Sequence, residues 1–490
     1  MSARCVLAAL ALSTAVTAHA QIPQSEYAAR RAALASRMPN GVLVAFGARE
    51  PAQDYLSFFQ GSHFMYLTGF REPDAALVMV KRNGQVAGTI FVQPREPAQE
   101  VWTGARAGAE SAAATTGLAG QSAAQFRAVL DSLVRPGDTL SVVSDLASDD
   151  EAASVDALFV RALIAAKPGV VVNDAGAAVS ALRARKSAAE LALIRKAVEI
   201  TAEAQRDAIR AVEPGMNEFE IQALIEYTFR RNGADRPSFS TIVGSGPNST
   251  TLHYNADDRF MNAGETVVMD IGASYRGYAA DVTRTIPVSG TFTPDQRAIY
   301  QLVRDAQAAA ERQAKLGNAR QRMTDSANAV LAAGLAKLGL TESPAATFDC
   351  EMGGQRGLCA QSRMYYMHGL GHGIGLDVHD PDAADNGRFA PGSAFTIEPG
   401  IYVRADVLDV LPDTPRNREI ATKLRAAVER YRNIGVRIED DYIVTESGVE
   451  WISRAPREIA EIEALMKEQF AGPGKRNPAM VDWYRATGGK

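Results

Sequence analysis

The chain has 490 residues, 46% hydrophobic and 22% charged, with a formal net charge of -5. That length exceeds what one hydrophobic core organises and implies two or three domains, while the composition excludes a disordered or fibrous chain. A mildly acidic balance with no Lys/Arg stripe excludes a nucleic-acid surface and leaves small molecules or peptides as partners.

At the N-terminus, Arg4 leads into the apolar run Val6 to Leu12, and small residues close the segment at Ala18-His19-Ala20. The run is too short to span a bilayer, and its ending fits a secretory signal cleaved before Gln21. A buried N-terminal helix is the competing reading. Cleavage implies an exported protein, periplasmic or secreted, with no membrane association afterwards. It also removes Cys5 and leaves only Cys350 and Cys359. Nine positions apart and in an oxidising compartment, these two are expected to form a local disulfide, with two unpaired buried thiols as the alternative.

From Gly41 to about Ser180, apolar stretches such as Gly41 to Phe46, Ala75 to Val80 and Thr89 to Val92 alternate with Ala-rich helical segments, the texture of an α/β domain. Beyond Lys186, Ser187 with Glu190 makes a capping box that opens a long amphipathic stretch to Val212. Further helix starts stand at Asn217 with Glu220, and at Thr293 with Pro294 and Gln296. Phe239 to Val243, Thr266 to Asp270, Tyr278 to Val288, Ala394 to Val403 and Val436 to Thr445 read as strands. Helices followed by strands, twice over, describe an α+β second domain. The segments are thus 1–20 (signal), 21–180, 181–468, and a loose or partner-binding tail at 469–490.

The chemistry concentrates in the second domain. In TVVMDIGASYRGYAADVTRT, a two-residue turn at Tyr275 and Arg276 would set Asp270 directly opposite Asp281. Two like charges in such a cross-strand pair are destabilising unless a cation intervenes, although a lone pair of aspartates is more often found in solvated turns. In HGLGHGIGLDVHD, the glycines at 369, 371, 373 and 375 argue against a zinc-binding helix, but three histidines fall within twelve residues. Glu398 ends the apolar run of FTIEPG, and in GVRIEDD the alternation sets Arg437 and Glu439 on the face opposite Val436 and Ile438. An acidic side chain projecting from an apolar strand is costly to bury unless paired or metal-bound. Asp270, Asp281, Glu398, Glu439 and one imidazole make an oxygen-rich set whose charge balances two divalent cations.

With these flanks, the order Asp, Asp, His, Glu, Glu resembles the pita-bread metallopeptidases, the family of methionine aminopeptidase, prolidase and Xaa-Pro aminopeptidase. The resemblance implies an α/β N-terminal domain plus an α+β pita-bread catalytic domain. It assigns Asp270 to one metal, Asp281 and Glu439 to both, and His372 and Glu398 to the other, with Glu398 also carrying a proton. It further implies that His253 and His379 act on the scissile carbonyl and intermediate, and that His368 and Arg437 bind substrate on the proline side. The expected cofactor is a pair of divalent ions, with Mn2+ favoured and Co2+ or Zn2+ as alternatives. Substrates would be proline-containing peptides, and a homo-oligomer is expected. SHFMYLTGFREPDAALVM and EVWTGARAG resemble the N-terminal domain of aminopeptidase P. Two inserts depart from the pattern, the Gly-rich one with Cys350 and Cys359 and a charged one from about Arg404 to Tyr431, and both are expected near the active-site mouth. Within this family, removal of the residue preceding proline is the leading reading. A dipeptidase is the main competitor, while a metal-free creatinase-like enzyme, a methionine aminopeptidase and a non-catalytic binding module stand further off.

Overall fold

The computed structural model describes residues 21–53, 56–143, 154–352, 354–382, 387–472 and 478–486. The expected export signal at 1–20 lies outside the described residues. Among the described residues, no helix is long and apolar enough to cross a membrane.

The N-terminal domain is built on a mixed six-stranded sheet. Its strands are β1 (Gly41–Phe46), β2 (Ala76–Arg82), β3 (Gln85–Val92), β4 (Ala119–Ser122), β5 (Thr139–Val143) and β6 (Val171–Asp174), in the order β4-β3-β2-β1-β5-β6. The central strands are the apolar runs read from the sequence, buried on both faces because helices cover both. Val42, Val44, Val78 and Val142 face one small core with Leu130, Val160 and Leu163. Leu43, Ala45, Leu77 and Met79 face the other way, into a core continuous with that of the second domain. Alternation along the strand therefore joins the two domains.

In the second domain the three capping boxes form as read, at Ser187/Glu190, Asn217/Glu220 and Thr293/Gln296, and open the helices Ala188–Ala211, Glu218–Arg231 and Pro294–Gln313. Three of the β-runs differ in an instructive way. Tyr278 to Val288 is interrupted at Ala280 and Asp281, Ala394 to Val403 at Glu398 and Pro399, and Val436 to Thr445 at Ile438 and Glu439. At each break the backbone N–H leaves its ladder for another partner. Asp281 N–H donates to the Asp441 carboxylate at 3.0 Å, Glu398 N–H to Leu370 O at 2.8 Å, and Glu439 N–H to Thr283 O at 3.1 Å. Strand propensity reports none of these long-range bonds.

The hairpin register also differs from expectation. Its turn is Arg276-Gly277, both with positive φ (50° and 87°), which sets Asp270 opposite Thr283 and not opposite Asp281. A two-residue loop with positive φ at both positions matches the twist of paired strands, and Gly277 supplies one of them without strain. The slip is two residues, so face parity is kept and the two aspartates still share a side of the sheet. Between them the backbone pinches at Gly272, where a Cβ would sit 1.9 Å from Ala280 O.

The two inserts pack on each other. The hairpin Thr347–Met352/Gln355–Ala360 is closed by the Cys350–Cys359 disulfide, with Cα atoms 5.7 Å apart, and so the paired reading of the cysteines holds. Asn417, on the insert helix Pro415–Tyr431, both accepts from Asp349 N–H (3.0 Å) and donates to Asp349 O (2.8 Å). The C-terminal segment is not wholly loose either. Helix Pro478–Ala486 returns to the domain, where the Trp483 ring lies 5.0 Å from that of Tyr275 and under the Lys196 ammonium.

Candidate metal centre

A cavity of about 520 Å³ in the second domain is lined by all nine residues singled out from the sequence: His253, Asp270, Asp281, His368, His372, His379, Glu398, Arg437 and Glu439. Neither insert contributes a residue to its wall. They pack against one another and also against the body of the domain, where Arg430 pairs with Asp295 at 2.7 Å and Lys423 with Glu342 at 2.9 Å.

Donor atoms of Asp281, His372 and Glu439 all lie within 4.8 Å of one another. His372 Nε2 stands 3.5 Å from Asp281 Oδ2, 3.4 Å from Glu398 Oε1 and 3.9 Å from Glu439 Oε1. The other ring nitrogen, Nδ1, is 3.0 Å from Gly373 O. A carbonyl can only accept, so Nδ1 carries the proton and the Nε2 lone pair faces the carboxylates. Burial holds the imidazole neutral, its pKa lowered to about 4. A neutral ring with its lone pair aimed at three carboxylates is poised as a metal ligand.

The carboxylates are held apart from water and against one another. Burial, and then the charge of Glu439, pushes Asp281 far above the usual carboxylate range. Burial, and then Glu398, does the same to Glu439, and burial raises Glu398 to about 7. Asp270 Oδ1, Asp281 Oδ1 and Glu439 Oε1 are buried without a hydrogen-bond partner among the described residues. Buried unsatisfied oxygens are rare in native proteins, and three of them on carboxylates that line one cavity fit a site for divalent cations. The donor set is oxygen and imidazole without sulfur, suited to hard or borderline ions.

Arg437 alters the charge count. Its guanidinium is buried and pairs with Asp270 Oδ2, donates to Tyr402 OH at 3.0 Å, and reaches Thr283 Oγ1 at 3.2 Å. Four carboxylates and one guanidinium sum to -3, so the two divalent ions expected from the sequence would exceed the charge of the site by one instead of neutralising it. Tyr402 in turn lies 2.8 Å from His368 Nε2, and His368 Nδ1 is 2.8 Å from Gly369 O. The proton order is therefore Arg437 to Tyr402, Tyr402 to His368, and His368 to Gly369. Burial lowers the His368 pKa to about 4, and both of its nitrogens are engaged. His253 and His379 stand exposed on the cavity wall, with the His379 ring 4.1 Å from that of His372.

Several supporting residues were not singled out from the sequence. Thr283 donates to Glu439 Oε2 at 2.7 Å, Thr396 to Glu398 Oε1 at 3.2 Å, and Asp441 accepts from Asp281 N–H. Thr283, Thr396 and Asp441 each stand two positions from a proposed ligand, so the period of an extended chain was the signal that could have found them. Tyr402 offered no comparable sign, since its partners come from distant segments.

Comparison with known proteins places the chain among metallopeptidases. Residues 192–446 match the model of metallopeptidase family M24, and residues 27–142 match the aminopeptidase P N-terminal domain. The chain belongs to metallopeptidase family M24. Among its M24 relatives, the Xaa-Pro aminopeptidase of Escherichia coli is 34% identical over 465 residues, covering 91% of this chain and 98% of that protein. Two solved structures of E. coli aminopeptidase P, one in complex with substrate and one with the inhibitor Pro-Leu, superpose on this M24 chain with TM-scores of 0.77 at 32% identity. Each covers 91% of this chain and 98% of its own. The α/β domain followed by a pita-bread catalytic domain is thus the fold of the family.

Proposed function

We infer that this M24 peptidase is a Xaa-Pro aminopeptidase, removing the N-terminal residue from peptides with proline in the second position. The observation that supports it most is the convergence of Asp281, His372, Glu439 and Glu398 on one cavity, in a chain that matches aminopeptidase P along both domains. The prolidase alternative is not favoured, because the full-length relatives are Xaa-Pro aminopeptidases.

We propose that Asp270, Asp281, His372, Glu398 and Glu439 hold two divalent ions, with Mn2+ the favoured metal. Bound there, the ions would supply Lewis acidity toward the scissile carbonyl and activate water at neutral pH. The chain's own residues do the rest. Phe239, Ile242, Leu252 and Val378 give the cavity an apolar side against which a proline ring can rest. The amide to proline has no N–H, so such a wall serves it better than a hydrogen-bond acceptor would. Glu398, on the cavity wall, is placed to take a proton from attacking water and return it to the leaving nitrogen. His253 and His379, on the cavity wall, are placed to donate to the oxyanion. Asp270, held by Arg437, keeps a free oxygen in the cavity.

Export through residues 1–20 belongs to the same proposal and is supported by the disulfide, since such bonds persist in oxidising compartments.

Assay of Ala-Pro-Ala, Ala-Ala-Ala and Ala-Pro tests the assignment. Cleavage of Ala-Pro-Ala between Ala and Pro is expected, with Ala-Ala-Ala slower by about a hundredfold, as when a shaped pocket meets an unpaired N–H. Equal rates on the two tripeptides would leave a general aminopeptidase, and cleavage of Ala-Pro alone would mark a dipeptidase.

A further inference from the structure

His379 is held by no hydrogen bond of its own ring among the described residues, so its place in the cavity depends on its backbone. That backbone is gripped on both sides. Asp377 and Asp380 face away from the cavity toward Arg183, which ion-pairs with Asp377 at 2.6 Å and also with Asp380. Lys186 adds a second cation, its Nζ 2.9 Å from Asp380 Oδ2 and 3.0 Å from Pro381 O. Arg183, Lys186 and Asp380 are at most 6% exposed. Within the loop, Asp380 Oδ1 accepts from Asp377 N–H at 3.0 Å, and Asp380 N–H donates to Gly373 O at 2.9 Å, beside His372. Packing there is tight, since a Cβ at Gly375 would sit 2.6 Å from the Asp380 carboxylate.

The cations come from the junction between the domains. Arg183 ends helix Gly176–Arg183, and Lys186 precedes the capping residue Ser187. From the N-terminal domain, His63 Nδ1 meets Arg183 at 2.9 Å, and Ser62 donates to Asp377. Replacing a buried ion cluster by apolar residues is often neutral or stabilising, so its retention suits a task of fixing geometry more than one of adding stability.

We propose that Arg183 and Lys186 are positioning residues for His379, holding segment 376–380 so that the imidazole stays beside His372 and over the bound peptide. The N-terminal domain thereby takes part in catalysis through the junction. The inference rests on the reading of His379 as a group that touches the reacting substrate.

The test uses full-length, metal-loaded enzyme and the Ala-Pro-Ala assay. Arg183→Lys keeps the charge and loses the fork in which one terminal nitrogen holds both aspartates while the other meets His63. Metal content and thermal midpoint should stay near those of the parent while kcat falls roughly tenfold or more, with KM little changed, as displacement of a reacting group does. In a His379→Ala background the same substitution should cost nothing further. Multiplying losses in the double variant, or full kcat in Arg183→Lys, would overturn the positioning role. Full kcat in His379→Ala would instead overturn the reading of His379, and the positioning role with it. Should Arg183→Lys fail to fold, Ser62→Ala removes one Asp377 contact from outside the buried cluster. It should lower kcat only where His379 is present, and an equal loss without His379 would count against the proposal.

Discussion

Glu398 and Glu439 face each other across a gap in a single antiparallel ladder. Ile397 pairs with Asp440 on one side of the gap and Gly400 with Arg437 on the other, in one unbroken register that sets the two glutamates opposite. Burial pushes both upward, Glu398 to about 7, and the charge of Glu398 adds to the rise of Glu439. The expectation of facing acids was thus right in kind and wrong in place. The pair is not Asp270 with Asp281 but the two glutamates, which stand 41 positions apart in the chain.

Burial of Glu398 sets a pH dependence for the metal-free protein. A carboxyl raised from 4.5 to about 7 binds its proton more tightly in the folded state, so stability is present below the lower value and lost as pH rises through that window. From Glu398 alone the loss is on the order of 3 kcal/mol. Chelated protein should therefore melt at a higher temperature at pH 5.5 than at pH 8, and Mn2+ should raise the midpoint more at pH 8. A chelated protein that gains stability between those pH values would contradict the arrangement.

Metal dependence itself is the second expectation. Exhaustive chelation should abolish peptidase activity, and Mn2+ or Co2+ should restore it. Asp281→Asn removes a negative charge from the close triple with His372 and Glu439, so metal bound per chain should drop below two when measured by elemental analysis. Full activity after chelation would falsify the metal-centre reading.

His253→Ala should separate chemistry from binding. If the imidazole acts on the tetrahedral intermediate, kcat should fall by about a hundredfold while KM changes little. A rise in KM at constant kcat would move His253 to ground-state binding.

Intact-mass measurement addresses export and the disulfide together. The mature chain should begin at Gln21 and gain two hydrogens on reduction. Cys350→Ser should destabilise the hairpin by about 2 to 3 kcal/mol through lost loop closure. Activity at moderate temperature should survive, because the hairpin supplies no residue to the cavity wall.

Much of this protein is local information, and the sequence alone determined it. Capping boxes at Ser187, Asn217 and Thr293 need only residues three apart, and three of the six strands of the first sheet, at 41–46, 76–82 and 85–92, need only apolar runs. The four acids and the clustered histidines stood out in the sequence, because buried acids on apolar strands are costly without a purpose, whereas His253 and the separate roles came from the family resemblance alone. Tertiary structure decided which acids oppose each other, since that depends on register between segments far apart in the chain. It decided that Asp281, Glu398 and Glu439 sit in ladder breaks, whose hydrogen bonds run to Asp441, Leu370 and Thr283. It also decided that Arg437 is spent on Asp270, and that Arg183 and Lys186 reach Asp380. Pairings of charges distant in sequence leave no period in the chain, and only the packed core sets them within reach.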